Sequence, residues 1–282
     1  MFNQMESKYL PISAGNYGVH WTAKMLCYND PVTGGNKYYK LKYNLIRAKE
    51  LGFNHLVTVG GAYSNHIAAT ARLGRENDFS TTGIIRGEPI MNLTLERAKA
   101  DGMDLVFVDR ARYKQRNLPG FATGVLQKPK DWWFIPEGGN NEEGVRGSCE
   151  ILEPPDEHYD IITVCCGTGS TALGVAQSLK PHQRLLVFNV VRDDKKLPVE
   201  SSKVEMIHDY HFGGYARKTA ELETFCRNFL EKNQIHIEPV YTGKMFFGLQ
   251  ELISKGLFKS GTRILSLHTG GLQYCIPEPI AV

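Results

Sequence analysis

Two glycine-rich turns, each between an apolar run and the start of a helix, constrain this chain more than any other feature. The run 160–166 passes into Gly167-Thr168-Gly169-Ser170-Thr171, and the run 55–59 passes into Gly60-Gly61. A continuous apolar run of this length, bounded by turn residues, is typical of a strand buried on both faces. Strand, turn and helix in this order predict parallel strands covered by helices.

The rest of the sequence continues this alternation. Further strands are predicted at 82–86, 104–108, 132–135, 184–191 and 263–267, and helices at 64–75, around 95–98, from Asn140 toward Leu152, and around 222–230 and 245–253. We therefore predict an α/β fold with two domains and mostly parallel twisted sheets flanked by helices. A smaller βα domain is expected at 46–134, and a larger, cofactor-binding domain from 1–45 plus 135–282. The segment 192–215 is predicted to be the most mobile loop.

The composition argues against several classes of protein. The 282 residues are 42% hydrophobic and 22% charged with a net charge of +3, which is ordinary for a globular protein of about two domains. The basic residues are scattered, so neither a nucleic-acid site nor a membrane-binding surface is expected. No membrane span or signal peptide is expected either. The six cysteines, among them Cys27 and Cys275, lack C-x-x-C or zinc spacing, which favours free thiols in a reducing cytoplasm and no metal site.

The turn at 167–171 has the composition of an anion site. Glycines let the backbone approach a ligand, and successive N–H groups at a helix N-terminus attract a phosphate. A dinucleotide site fits less well, since the third glycine, Gly174, comes late and Asn189 ends the next strand in place of an acid. The lysine of a Walker loop is also absent. A single phosphate or a mononucleotide is the preferred ligand, and the alternative is an ordinary βα turn.

A lysine and a second helix start complete the candidate site. Lys37 follows Gly34-Gly35-Asn36, and a neighbouring cation at Lys40 would lower the pKa of its amine and favour attack on a carbonyl. The alternative is a solvated basic helix. Ser64 and Asn65 begin the helix after Gly60-Gly61, where they could bind a carboxylate or a cofactor oxygen, or Ser64 could only cap the helix. A lysine, an anion-binding helix end and a phosphate turn are the parts needed to hold pyridoxal phosphate.

Six motifs occur along the chain in a fixed order. They are Gly34-Gly35-Asn36-Lys37-x-x-Lys40-Leu41, Ser64-Asn65-His66, Pro136-Glu137-Gly138-Gly139-Asn140, Gly167-Thr168-Gly169-Ser170-Thr171, Pro239-Val240-Tyr241-Thr242-Gly243-Lys244 and His268-Thr269-Gly270-Gly271. With these motifs the chain resembles the D-cysteine desulfhydrase and 1-aminocyclopropane-1-carboxylate deaminase family. Those proteins are fold-type-II pyridoxal-phosphate enzymes, similar to the tryptophan synthase β-subunit.

The resemblance implies a role for each matching residue. Lys37 is implied to be the Schiff-base lysine, with Lys40 and the 167–171 turn at the phosphate. Asn65 is implied to bind the ring hydroxyl, and Ser64 the substrate carboxylate, with a possible part in proton transfer. Thr242 and Thr269 complete the residues implied to bind the cofactor. Tyr241 and His66 complete those implied to bind the substrate, although His66 is expected to be structural rather than a base. A homodimer with its active site between the two domains is also implied.

Two threonines distinguish the two activities of the family. The deaminases, as the resemblance implies, carry an acid after the tyrosine and an aliphatic residue before the last two glycines, whereas this chain has Thr242 and Thr269, as the desulfhydrases do. An acid beside the pyridine nitrogen keeps it protonated and makes the ring a stronger electron acceptor. A hydroxyl group does not do this, which suits β-elimination of a good leaving group better than ring opening. We therefore expect β-elimination from D-cysteine or a related D-amino acid. The alternatives are 1-aminocyclopropane-1-carboxylate deaminase activity and a non-catalytic pyridoxal-phosphate-binding protein.

Overall fold

A computed structural model of the chain describes residues 6–26, 30, 32–128, 130–193, 197–199 and 201–272. The strands are β1 (Lys8–Ile12), β2 (His20–Met25), β3 (His55–Gly61), β4 (Ser80–Arg86), β5 (Met103–Val108), β6 (Trp133–Ile135), β7 (Ile161–Cys166), β8 (Arg184–Asn189), β9 (Val204–Ile207) and β10 (Arg263–His268). The α-helices are α1 (Asn36–Glu50), α2 (Asn65–Glu76), α3 (Leu93–Ala100), α4 (Arg110–Tyr113), α5 (Phe121–Leu126), α6 (Glu142–Ser148), α7 (Ser170–Gln177), α8 (Ala220–Asn233) and α9 (Thr242–Ser254).

The chain forms two compact units. One runs from Lys37 to Gly147, and the other contains the residues before it from Gln4 and those from Ser148 onward. The boundaries expected from the sequence, near 46 and 134, lie inside the first unit. The reason is that α1 and the segment after β6 are bonded to its sheet: Trp133 Nε1 donates to Asn44 Oδ1 at 3.0 Å, and Asn44 Nδ2 donates to Asn141 Oδ1 at 3.1 Å.

The second unit is built on a six-stranded sheet. Its order is β1-β2-β10-β7-β8-β9, and its strands are parallel except for β1, which is antiparallel to β2. Every residue of β7 is buried, as expected of a central strand covered on both faces. An aromatic group forms part of the core: the Trp21 and Phe246 rings stack with centroids 5.7 Å apart, and Phe229 lies 5.1 Å from Phe246.

The first unit contains a four-stranded parallel sheet with the order β5-β4-β3-β6. Helices α2 and α3 cover one face through buried apolar side chains, and a second core that includes residues of α4 and α5 covers the other. At Gly60 the helix packs so closely that an added Cβ would lie 2.6 Å from Ile67 Cγ1. Glycine is therefore required where β3 ends and the turn to α2 begins.

The α/β architecture expected from the sequence is confirmed, although several elements differ. Strands β1 and β2 were not expected: β1 is an edge strand that contains Pro11, and β2 buries Lys24. Strand β9 lies inside the segment that was expected to be a loop. The helix expected from Asn140 is shorter, and Asn141 rather than Asn140 caps it, accepting from Gly144 N at 3.0 Å.

The cysteines and the helices bear on two further expectations from the sequence. Cys149, Cys165, Cys166 and Cys226 form no disulfide within the described part of the chain, whereas Cys27 and Cys275 lie outside the described residues. Within the described part of the chain, no helix combines the length and the apolar character needed to cross a membrane.

Candidate active site

The turn after β7 has the backbone that an anion site requires. Gly169 has a φ of 108°, which favours glycine, and it immediately precedes α7. Gly167 lies against Tyr241, because an added Cβ there would be 3.0 Å from the tyrosine ring. Ser170 and Thr171 are buried in the first turn of α7, so the helix N-terminus, with its partial positive charge, directly follows the glycines.

The turn before Lys37 is bonded to the same unit. Asn36 Nδ2 donates to Thr171 Oγ1 at 2.8 Å, and Asn36 N donates to the carbonyl of Thr269 at 3.2 Å. Gly35 lies against the same carbonyl, with an added Cβ only 2.2 Å from its oxygen. Asn36 therefore joins the phosphate turn to the end of β10. The sequence analysis gave Asn36 no role, and its place in the motif just before Lys37 was the available signal.

Thr269 lies where β10 ends, beside the end of β7. The two strands are parallel neighbours, and Thr269 Oγ1 is 3.2 Å from Cys165 Sγ. Because the carboxyl ends of parallel strands meet at one edge of a sheet, Thr269 and the turn at 167–171 occupy that same edge. This is the edge at which open α/β sheets bind ligands.

The start of α9 is held by a buried carboxylate. Glu238 Oε1 accepts from Tyr241 N at 3.0 Å and from Thr242 N at 2.7 Å, and Oε2 accepts from Val240 N at 2.7 Å. Burial raises the pKa of Glu238 to about 7, and these N–H donors oppose the rise. Glu238 was not among the site residues expected from the sequence, and the available signal was an acid four residues before the first residue of a helix.

Tyr241 is a neutral phenol in this environment. Burial and the neighbouring Tyr215 raise its pKa well above its ordinary value. The two rings meet edge to face with centroids 5.9 Å apart. Tyr241 can therefore donate a hydrogen bond from its hydroxyl, but it does not act as a base near neutral pH.

In the first unit, Lys40 and His66 lie together beside Gly139. An added Cβ on Gly139 would be 3.3 Å from Lys40 Cβ and 3.7 Å from His66 Cε1. Burial, followed by the charges of Lys40 and Lys37, holds the pKa of His66 well below its ordinary value. Lys37 is half-buried at the start of α1, and its effect on His66 places its ammonium group in the same electropositive region.

The hydrogen bonds of His66 determine its tautomer. Thr58 donates its hydroxyl proton to the carbonyl of Ile135 at 2.8 Å, so the contact of 2.8 Å between Thr58 Oγ1 and His66 Nε2 requires that Nε2 carry a proton. The neutral ring then has a lone pair on Nδ1, which is buried and makes no hydrogen bond within the described structure.

Ser64 and Asn65 lie at the start of α2, after the Gly60-Gly61 turn. Ser64 occupies the N-cap position with φ −78° and ψ 117°, but its side chain makes no capping hydrogen bond. The capping role considered from the sequence is therefore not what its hydroxyl does. Asn65 is the first residue of the helix and is partly exposed.

His268, the residue before Thr269, is neutral because of its burial. Its Nε2 lies 2.9 Å from the carbonyl of His236, which can only accept, so Nε2 carries the proton. Burial lowers the pKa of His268 to about 4. Since an unfolded histidine titrates at 6.5, the unfolded chain takes up a proton at this position between pH 6.5 and about 4, and the folded protein loses stability over that range.

We expect His268→Gln to reduce the loss of stability on acidification from pH 7 to 5 by about 2 kcal/mol. Urea unfolding of both proteins at the two pH values measures it. The raised pKa of Glu238 affects the pH dependence of stability with the opposite sign, because its contribution to stability is lost as pH rises toward about 7. This contribution is the same in wild type and in His268→Gln, so it cancels when the two proteins are compared. The exposed His182→Gln is the matched control. Equal pH dependence in wild type and His268→Gln would contradict the prediction.

Comparison with known proteins identifies the family. The sequence matches the family of pyridoxal-phosphate-dependent enzymes over residues 8–270. The chain is a member of this family. A bifunctional D-cysteine desulfhydrase/1-aminocyclopropane-1-carboxylate deaminase, mitochondrial, from Arabidopsis thaliana is 27% identical over 277 residues, covering 84% of this chain and 69% of that protein. A 1-aminocyclopropane-1-carboxylate deaminase from Rhizobium radiobacter is 26% identical over 301 residues, covering 89% and 86%.

A solved structure shows the same fold. The crystal structure of an ACC deaminase homologue superposes with a TM-score of 0.80 at 24% identity, covering 95% of this chain and 90% of that one. The α/β fold with mostly parallel sheets flanked by helices, expected for a fold-type-II pyridoxal-phosphate enzyme, is thus confirmed. The expectation of an enzyme rather than a non-catalytic binder agrees with the family.

The residues present in this pyridoxal-phosphate-dependent enzyme fit the cofactor. The glycine turn with a φ of 108° at Gly169 and the N-terminus of α7 suit a phosphate. Thr242, at the start of α9, and Thr269, directly after β10, are both buried and each carries a hydroxyl group. The chemistry of the donors, more than any one distance, supports the fit.

Proposed function

We propose that this enzyme catalyses β-elimination from D-cysteine or a closely related small D-amino acid. With D-cysteine, one water is consumed, and the products are pyruvate, ammonia and hydrogen sulfide. The observation that carries the proposal is the uncharged hydroxyl of Thr242, a fully buried residue, at the position where the deaminases have an acid. The name of the Arabidopsis relative, which includes D-cysteine desulfhydrase, supports the same substrate.

In this proposal each residue has one binding task. Lys37 holds the cofactor covalently, Lys40 and the turn at 167–171 bind its phosphate, Asn65 binds the ring hydroxyl, and Thr242 with Thr269 lies on the side of the ring nitrogen. When bound, pyridoxal phosphate supplies an aldehyde for attachment of amines and a ring that accepts the electron pair left at the substrate Cα.

The proton transfers belong to residues of this chain. Lys37 Nζ or Ser64 Oγ accepts the proton from the substrate Cα, and Ser64 also binds the substrate carboxylate. The hydroxyl of Ser64 does not cap α2, which supports a role toward a ligand. Tyr241 keeps its phenolic proton because its pKa is raised, so it donates a hydrogen bond beside the substrate instead of removing a proton.

A substrate panel tests the reaction. The enzyme is assayed with D-cysteine, L-cysteine, D-serine and 1-aminocyclopropane-1-carboxylate, and release of 2-oxo acid and ammonia is measured for each. We expect kcat/KM to be highest for D-cysteine, with sulfide released in equal amount. Greater turnover of 1-aminocyclopropane-1-carboxylate, to 2-oxobutanoate and ammonia, would instead support the second candidate, which the name of the Rhizobium relative favours.

The pair of threonines provides a second prediction. We expect Thr242→Glu combined with Thr269→Leu to raise the ratio of kcat/KM for 1-aminocyclopropane-1-carboxylate over that for D-cysteine by roughly tenfold or more, because a carboxylate at 242 would keep the ring nitrogen protonated. The control is Thr242→Ser, which keeps the hydroxyl and should leave the ratio unchanged. An unchanged ratio in the double variant would mean that these two positions do not determine which of the two substrates the enzyme prefers.

Assembly and location complete the proposal. We propose a cytoplasmic homodimer. The resemblance supports the dimer, and the four described cysteines, which form no disulfide, support a reducing compartment. Sedimentation velocity should show twice the mass of one chain, and a monomer at working concentration would contradict it. Fractionation of the source cells should recover the enzyme with other cytoplasmic proteins.

A further inference from the structure

The hydroxyl of Thr242 is tied to Glu238 by two hydrogen bonds. Thr242 Oγ1 donates to Glu238 Oε1 at 3.1 Å, and the same oxygen accepts from Glu238 N at 3.1 Å. A threonine hydroxyl has one proton and two lone pairs. With its proton directed to the carboxylate and one lone pair used by the backbone, the hydroxyl has one lone pair left for a further partner.

Glu238 is held rigidly in this position. Its carboxylate accepts from three consecutive backbone N–H groups, those of residues 240–242. On its other side Gly271, with a φ of 87°, lies so close that an added Cβ would be 3.0 Å from Glu238 Cγ. The carboxylate thus lies between the start of α9 and the turn that carries Thr269, and it can act on Thr242 without reorganising.

We propose that Glu238 is a positioning residue whose protonation state decides whether Thr242 accepts or donates the hydrogen bond to the ring nitrogen of the cofactor. The inference rests on the proposed function, in which Thr242 faces that nitrogen. With Glu238 ionised, Thr242 offers only a lone pair, which stabilises a protonated ring nitrogen. When a proton from solvent binds Oε1, the carboxyl donates to Thr242 Oγ1, and the threonine proton becomes available to an unprotonated ring nitrogen.

The consequence concerns the strength of the electron acceptor. A protonated ring withdraws electrons more strongly than an unprotonated one. Whereas the deaminases place an acid directly at position 242, this chain places one behind a hydroxyl, where both states of the carboxyl are accessible near neutral pH. The same site can therefore present two electronic states to the substrate.

Other titratable groups surround Glu238. Tyr241 is neutral, and burial lowers the pKa of His268 to about 4. Burial also lowers the pKa of Lys244 to about 8, while its ammonium group donates to the carbonyls of Val190, His211 and Gly214. The remaining groups on packed elements are the thiols of Cys165 and Cys226, the phenol of Tyr215 and the exposed imidazole of His236. A His236 variant is therefore the control for titration of a nearby group other than Glu238.

The test uses the holoenzyme loaded with pyridoxal phosphate labelled with ¹⁵N in the ring. In the wild type we expect the ¹⁵N chemical shift of the ring nitrogen to titrate between about pH 6 and 8, around the raised pKa of Glu238. In Glu238→Gln, which has no titrating carboxyl group beside Thr242, this titration should be lost, whereas His236→Asn should retain it. A wild-type shift that does not change with pH, or an unchanged titration in Glu238→Gln, would overturn the inference.

Thr242 variants give an independent arm that keeps the three backbone N–H bonds to the Glu238 carboxylate. Thr242→Val should lose the titration and Thr242→Ser should restore it, and this pair decides the question if Glu238→Gln does not fold. Persistence of the titration in Thr242→Val would refute the role of the hydroxyl. Failure of the proposed function looks different: the wild type would then show no bound ¹⁵N signal and no borohydride-fixed cofactor at Lys37, and the inference would fall with it.

Discussion

Lys37→Ala is expected to lower kcat for D-cysteine by roughly 10⁴-fold or more. In the proposed function Lys37 holds the cofactor and is, with Ser64, one of the two groups proposed to accept the Cα proton, and loss of an acid–base group alone costs roughly 10²–10⁴-fold. The half-buried position of Lys37 at the start of α1, beside Lys40 and His66, suits an amine that must lose its proton. Steady-state kinetics on D-cysteine with saturating cofactor measure the effect.

The control is Lys49→Ala, which removes an exposed lysine from the same helix and should retain full activity. Borohydride reduction of the wild type, followed by peptide mapping, should place the cofactor on Lys37. Labelling at another lysine, or a Lys37→Ala variant with more than about a tenth of wild-type kcat, would show that the assignment is wrong.

Lys24→Met is expected to lower the free energy of unfolding by about 3–5 kcal/mol. The Lys24 ammonium group is fully buried and donates to Asp156 Oδ2 at 2.5 Å and to the carbonyl of Ile151 at 2.7 Å, with Glu153 Oε2 also at 2.7 Å. Removing the cation would leave the carboxylate of Asp156, which is 1% exposed, buried without a positive partner. Urea unfolding followed by far-UV circular dichroism measures the loss.

Two further variants separate this effect from simple loss of packing. Lys24→Met combined with Asp156→Asn should recover part of the stability, because no unpaired charge is then buried. Arg184→Met breaks the exposed pair between Arg184 and Glu205 and should cost no more than about 1 kcal/mol. A loss below about 1 kcal/mol in Lys24→Met would mean that the buried ion pair contributes little to the stability of the folded protein.

Lys24 also shows where inference from sequence fails. A lysine in the middle of a short segment favours an exposed position. The sequence around Lys24 therefore did not predict β2, the strand that pairs with β10 in the larger sheet. Its partners at 151, 153 and 156 lie more than a hundred residues away, next to the two prolines that end the preceding segment. Nothing local indicates that these groups meet.

The candidate site likewise contains one feature that the sequence predicted and one that only the folded chain shows. The motif that contains Thr242 was recognised, and its resemblance to the family led to the expected chemistry. The role of Glu238, however, depends on its burial beneath the turn at Gly271, which comes from a different strand. Burial is what raises its pKa to about 7, and burial is a property of the packed chain. The roles of the individual site residues stay predictions for the experiments above.

The sequence by itself determined the α/β class, the strand–turn–helix units at Gly60 and Gly167, and the membership of a pyridoxal-phosphate family. These features follow from apolar runs, glycine positions and short motifs, all of which act over a few neighbouring residues. Only the tertiary structure decided that Lys24 is buried, that Asn36 binds Thr171, and that Glu238 controls the start of α9. Those arrangements depend on which distant segments pack against each other and bury these residues. A pattern of neighbouring residues does not predict that packing.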